Sequence, residues 1–123
     1  MQTFTKAERL SGKIEIEHLF SSGTAFNCDP FRVIWKESLA GSTQVKIVIS
    51  VPKRLFKKAV DRNRVKRLCR ESYRKNKNIL IETLKNKKIH LMFIYTAKNI
   101  FAFKEMEEKI ITTLQRLSKN INS

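Results

Sequence analysis

Six arginines and lysines crowd the fourteen residues of "DRNRVKRLCRESYR" (61–74), with no glycine or proline among them. The cations are Arg62, Arg64, Lys66, Arg67, Arg70 and Arg74, and Asn63 sits inside an Arg-Asn-Arg triplet. The chemistry on offer is recognition of a polyanion. Guanidinium groups present planar, bidentate donors to phosphate, and an asparagine amide can contact base edges or sugar hydroxyls. This is not a loose basic tail. Val65, Leu68, Cys69 and Tyr73 are threaded between the charges, so the same segment must also pack against a core.

Residues of catalytic type form no comparable grouping. His18 and His90 are isolated, each without a paired histidine, a metal-ligand spacing or a neighbouring cysteine. The acids are scattered, and the "EMEE" run (105–108) falls at an expected helix start, where compensation of the helix dipole is reason enough. No carboxylate cluster suited to two catalytic metals is visible, and Gly12, Gly23 and Gly41 are too dispersed for a phosphate-cradling loop. Cys28 and Cys69 lack CxxC spacing, so free thiols in a reducing cytoplasm are expected.

The whole chain supports the polyanion reading. It carries 26 Lys and Arg against 11 Asp and Glu, a net charge of +15. Residues 53–77 hold twelve bases and two acids, so 12 − 2 = +10 of that charge lies in one segment. Self-repulsion of this size destabilises a compact state, and a polyanionic partner relieves it. A solvated helix face would interleave acids with bases, whereas here Glu71 stands off to the side. The longest wholly apolar run is Leu91 to Tyr95, so no membrane span or signal peptide is expected. No feature points to a small-molecule substrate.

The elements that position the cations follow from periodicity. The 123 residues fit one domain, residues 1–123, able to bury roughly two-thirds of its unfolded surface. An extended lead-in containing Phe4 precedes a first helix capped by Ser11 and stopped by Gly23. "FRVIWKE" (31–37) alternates, with Phe31, Val33 and Trp35 opposite Arg32, Ile34 and Lys36. After an "LAGST" turn, "QVKIVISV" (44–51) alternates again, and the two strands are expected to be antiparallel neighbours. A helix over 61–75 then places Val65, Leu68, Cys69, Ser72 and Tyr73 in one stripe. Asn63, Lys66, Arg67, Arg70 and Arg74 gather opposite it, with Arg62 and Arg64 on the flanks. "NKNILIETLKNKK" either extends this helix or forms a short separate one. "IHLMFIYTA" (89–97) is expected as a buried strand, and a final helix over 103–121 buries Met106, Ile110, Leu114 and Leu117. The expected fold is α+β, with helices on one side of a small mixed sheet.

The segment "AVDRNRVKRLCRESYR", preceded by "SVPKRLFKK", resembles the signature of the bacterial ribonuclease P protein component. The resemblance spans most of the chain, taking in Phe4, Arg9-Leu10, the "HLFSSG" helix end and Phe31 at a strand start. It implies an αβββαβα sandwich with a left-handed βαβ crossover around the basic helix. It also implies a partner, a catalytic RNA subunit that with bound Mg²⁺ removes the 5′ leader from precursor tRNA. Arg62, Asn63, Arg64, Lys66, Arg67 and Arg70 would then face that RNA. A cleft between first helix and sheet would receive the single-stranded leader, with Phe20, Phe31, Lys53 and Arg54 at matching positions. Cys69 departs mildly from a position usually aliphatic or Thr, and Ile16 and Ile34 stand where the family is often aromatic.

Two questions stay open at this level. Alternation assigns Phe31 to the core, while the family match assigns it to the cleft. An RNA-binding protein of ribosomal type, with no role in cleavage, would share the composition. A DNA-binding helix-turn-helix fits less well, because strand-like segments flank the basic helix.

Overall fold

The computed structural model describes residues 9–38 and 44–122. Phe4 with the rest of the lead-in before Arg9, and the "LAGST" turn, lie outside the described residues. The chain runs α1 (Lys13–Ser22), β1 (Thr24–Cys28), β2 (Phe31–Ser38), β3 (Val45–Ser50), α2 (Ala59–Asn76), α3 (Asn78–Leu84), β4 (Lys88–Tyr95) and α4 (Phe103–Asn122). This is the expected α+β order with one helix added. The "NILIETL" stretch breaks from α2 as its own helix, turning Leu80 and Leu84 into the core, where they are at most 1% exposed.

One mixed sheet is formed, in the order β1-β2-β4-β3. The pairs β1–β2 and β2–β4 are antiparallel, and β3–β4 is parallel, with α2 and α3 as the crossover. The second and third strands are therefore not neighbours, contrary to the sequence expectation. Strand β4 lies between them because Leu91, Met92 and Phe93 are all buried, and a strand apolar on both faces belongs at the centre of a sheet. Strand β1 offered no alternation to find, being a short edge strand with a mostly exposed pattern.

Helices cover both faces of the sheet rather than one. On the first face, α2, α3 and α4 enclose the main core. Val65, Cys69 and Tyr73 of α2 and Met106, Ile110, Leu114 and Leu117 of α4 meet Val33, Ile47, Leu91 and Phe93 of the strands. On the second face Ile34 and Met92 are also apolar, and α1 covers them through Leu19, with Leu10 completing a smaller cluster. The N-cap of α1 is Gly12 rather than Ser11, with no side-chain cap bond. Gly23 ends α1 because space is short, since its φ is an ordinary −76°. A Cβ added there would lie 2.6 Å from the Leu19 carbonyl oxygen and 2.7 Å from Cγ2 of Ile34.

Candidate nucleic-acid interface

Helix α2 divides its residues between two tasks. Val65, Cys69, Ser72 and Tyr73 are fully buried, while Leu68 packs at the margin of the core. Burial pushes the Cys69 thiol up to about 12, so this cysteine behaves as an apolar residue. Asn63, Arg64 and Arg67 are exposed, and Lys66, Arg70 and Arg74 are half-buried. Arg74 is drawn into an ion pair with Glu71 at 2.9 Å. With Arg74 so engaged and Lys75 over the Phe103 ring, Arg64, Lys66, Arg67 and Arg70 remain as cations that α2 can turn toward a partner.

Arg62 does something the sequence did not disclose. Its Nη1 donates to the carbonyls of Phe56 at 2.8 Å and Lys57 at 2.9 Å. It thereby ties the start of α2 to the basic connection that carries Lys53, Arg54, Lys57 and Lys58. Lys53 and Arg54 are both exposed, just beyond the end of β3. One guanidinium thus orients other cations instead of standing free as another tooth of the comb.

The second feature lies under α1. Register puts three cross-strand rows on this face of the sheet: Lys36–His90–Lys46, Ile34–Met92–Val48 and Arg32–Ile94–Ser50. Leu19 sits over the middle row. At 100° per residue, Glu15, His18 and Ser22 fall on one flank of α1, with Ile16 and Phe20 on the other. The first flank closes on the Lys36 row. Lys36 Nζ lies 3.2 Å from the His18 ring and donates to Ser22 Oγ at 3.1 Å, and His90 Nε2 lies 3.7 Å from Glu15. Burial lowers the His90 pKa, with the charges of Lys46 and His18 adding to it and Glu15 opposing. A cavity of about 460 Å³ opens on this same flank, and so away from Phe20.

The other flank of α1 carries Ile16 and Phe20. Ile16, Val48 and Ile94 pack against the smaller cluster, Phe20 is 64% exposed, and Arg32 is exposed in the third row. Lys53 and Arg54 follow Ser50, which closes the same row. Phe31 does not belong there, which corrects its assignment to the cleft. It is 1% exposed on the opposite face of the sheet, tilted against Phe93 at 5.3 Å and edge-on to Tyr95 at 5.7 Å between ring centroids. Side-chain alternation along β2 decided the matter. Arg32, its neighbour in sequence, is the exposed residue on the α1 side of the sheet.

Among the described residues no group of three or more His, Cys, Asp and Glu is arranged to hold a metal ion. Nor is any of their helices long and apolar enough to cross a membrane. Both cysteines are free and buried.

A sheet with helices on both faces, one of them the cationic α2, defines a small, strongly basic α+β domain. The comparisons with known proteins make this specific. A family model described as Ribonuclease P matches residues 4–118. The ribonuclease P protein component of Porphyromonas gingivalis is 35% identical over 122 residues, spanning 97% of this chain and 89% of that one. The solved RNase P protein from Thermotoga maritima superposes with a TM-score of 0.72 at 25% identity, over 89% of this chain and 96% of that one. A Staphylococcus aureus RNase P protein mutant, at 21% identity over 93% and 90% of the two chains, shares the fold with a TM-score of 0.74. The chain belongs to the family of ribonuclease P protein components. It is accordingly a protein subunit of a ribonucleoprotein endonuclease of tRNA processing.

Proposed function

We propose that α2 binds the catalytic RNA subunit and that the groove beside α1 receives the single-stranded 5′ leader of precursor tRNA, assisting its endonucleolytic removal. The observation that carries this reading is the face of Asn63, Arg64, Lys66, Arg67 and Arg70, rigid on a packed helix and set against few acids. A preformed cationic row lowers the ordering cost of gripping a shaped phosphate backbone and releases counterions on contact. Arg62 serves the same end indirectly, by holding the Lys53–Lys58 connection.

In the groove, Phe20 offers an exposed ring for stacking, while Ile16, Val48 and Ile94 give an apolar floor and Arg32, Lys53 and Arg54 supply the charge. Stacking contributes roughly 1–3 kcal/mol per base. With isoleucine at positions 16 and 34, leader contact relies on Phe20 and on phosphate pairing more than on successive stacked bases. The cleavage chemistry resides on the RNA subunit, whose Mg²⁺ ions are held mainly by RNA. This chain's side chains supply cations that screen phosphate repulsion and position the leader. The holoenzyme works in the cytoplasm, a reading supported by two buried, unpaired thiols.

The test is reconstitution with a cognate RNA subunit and precursor tRNA across a Mg²⁺ titration. Addition of the protein is expected to lower the Mg²⁺ midpoint for 5′ cleavage severalfold. An unchanged midpoint, with RNA binding intact, would instead make this a structural RNA-binding protein of the ribosomal type.

A further inference from the structure

The cavity on the Lys36 flank of α1 plays no part in the reading above. At about 460 Å³ it is in the range of small-ligand sites, with room for one base and its ribose. Buried Leu19 and the exposed Ile14 give it apolar walls. Its charged lining is unlike the rest of the chain. Two carboxylates, Glu15 and Glu37, line it with a single lysine, Lys36, on a protein of net charge +15. Lys36 is already engaged, with its Nζ 3.2 Å and 3.5 Å from the two ring nitrogens of His18 and donating to Ser22 Oγ at 3.1 Å. His90 lies 3.7 Å from Glu15, and burial lowers its pKa, so it adds no full charge at neutral pH. Further cations flank the cavity. Lys46 pairs across from His90 and Lys88 across from Ser38, on this same face of the sheet.

We propose that this cavity takes one unstacked guanine base of the RNA partner, with the adjoining phosphates turned toward Lys46 and Lys88. Of the parts of a nucleotide, phosphate is the one this lining rejects, because it meets two carboxylates and a lysine already satisfied by its neighbours. A ribose has no flat apolar face to set against Leu19 and Ile14, whereas a base does. The His18 ring, held by Lys36, is a further surface on which a base can stack. The carboxylates then choose among the bases. Guanine alone of the four carries two adjacent N–H donors on its pairing edge, N1–H and the 2-amino group, which match the two oxygens of one carboxylate. The site adds base recognition to a surface that otherwise reads phosphates. The proposal takes its RNA partner from the reading above, but the cavity lies on the flank of α1 opposite Phe20, apart from the leader groove.

The experiment is an amide chemical-shift titration of the free protein with GMP, AMP, CMP and UMP at constant ionic strength. All four carry the same phosphate, so general attraction to the basic surface cancels and only the base differs. GMP is expected to shift the amides of Leu19, Glu37, Ser38 and His90 with the millimolar affinity of so small a ligand, and the other three to bind there at least about fivefold more weakly. IMP, which lacks the 2-amino group, is expected to fall between. Glu15→Gln/Glu37→Gln alters two exposed positions and is expected to fold, with GMP reduced to the level of AMP. Should the variant not fold, the wild-type comparison decides on its own. Equal shifts with all four nucleotides, shifts confined to α2, preference for another base, or unchanged GMP binding in the folded variant would each overturn the guanine site. If the wild type fails to bind the RNA subunit, it is the RNA-binding reading that falls, and the GMP comparison still decides the cavity.

Discussion

Arg62→Ala separates a cation that builds the surface from one that merely belongs to it. The Arg62 guanidinium donates to the Phe56 carbonyl at 2.8 Å in a part-buried setting and to the Lys57 carbonyl at 2.9 Å in an exposed one. Losing a part-buried charge-assisted bond costs about 1–2 kcal/mol, and the exposed one about 0.5 kcal/mol because water replaces it. The sum is about 1.5–2.5 kcal/mol, which for a domain of this size lowers the melting temperature by on the order of 5–10 °C. Arg67 is exposed, and Arg67→Ala is expected to stay within about 0.5 kcal/mol of wild type. Thermal unfolding followed by circular dichroism compares the two directly. If Arg62→Ala melts with the wild type, or Arg67→Ala falls as far as Arg62→Ala, the tether to the 53–58 connection is not what orders it.

Other expectations concern packing and the groove. Gly23→Ala places a Cβ against the Leu19 carbonyl and the Ile34 side chain, and should cost about 1–3 kcal/mol in urea unfolding; a neutral result would mean that α1 can shift freely on the sheet. Cys69 should resist a thiol reagent at pH 8 until the protein unfolds, since burial pushes its thiol up to about 12; rapid labelling of the native protein would show an open core. Phe20→Leu should weaken precursor tRNA binding more than mature tRNA binding without changing stability, because the ring is 64% exposed. Equal weakening for both tRNAs would remove Phe20 from the leader groove.

What the sequence disclosed and what it hid have physical reasons. The faces of α2 and α4 were legible because an amphipathic helix states its buried stripe directly, from Val65 to Tyr73 and from Met106 to Leu117. Strand order was not legible. Local alternation made β2 and β3 look like partners, and only burial of β4 on both faces placed it between them. Alternation did anticipate the outcome at Phe31, where the family match pointed the other way. The tether from Arg62 was hidden because a guanidinium that binds its own backbone and one that faces solvent read alike in a basic run.

The central claim is that the exposed face of α2 grips RNA through its phosphates. Its most direct test is the salt dependence of binding to the cognate ribonuclease P RNA subunit, wild type against Arg64→Gln/Arg67→Gln. Both side chains are exposed, so the variant is expected to fold and melt like the wild type. Its slope of log affinity against log salt should be shallower by about 1.4–1.8, the loss of two phosphate contacts. An unchanged slope and affinity in the folded variant would contradict the account, because RNA would then be held by some surface other than α2.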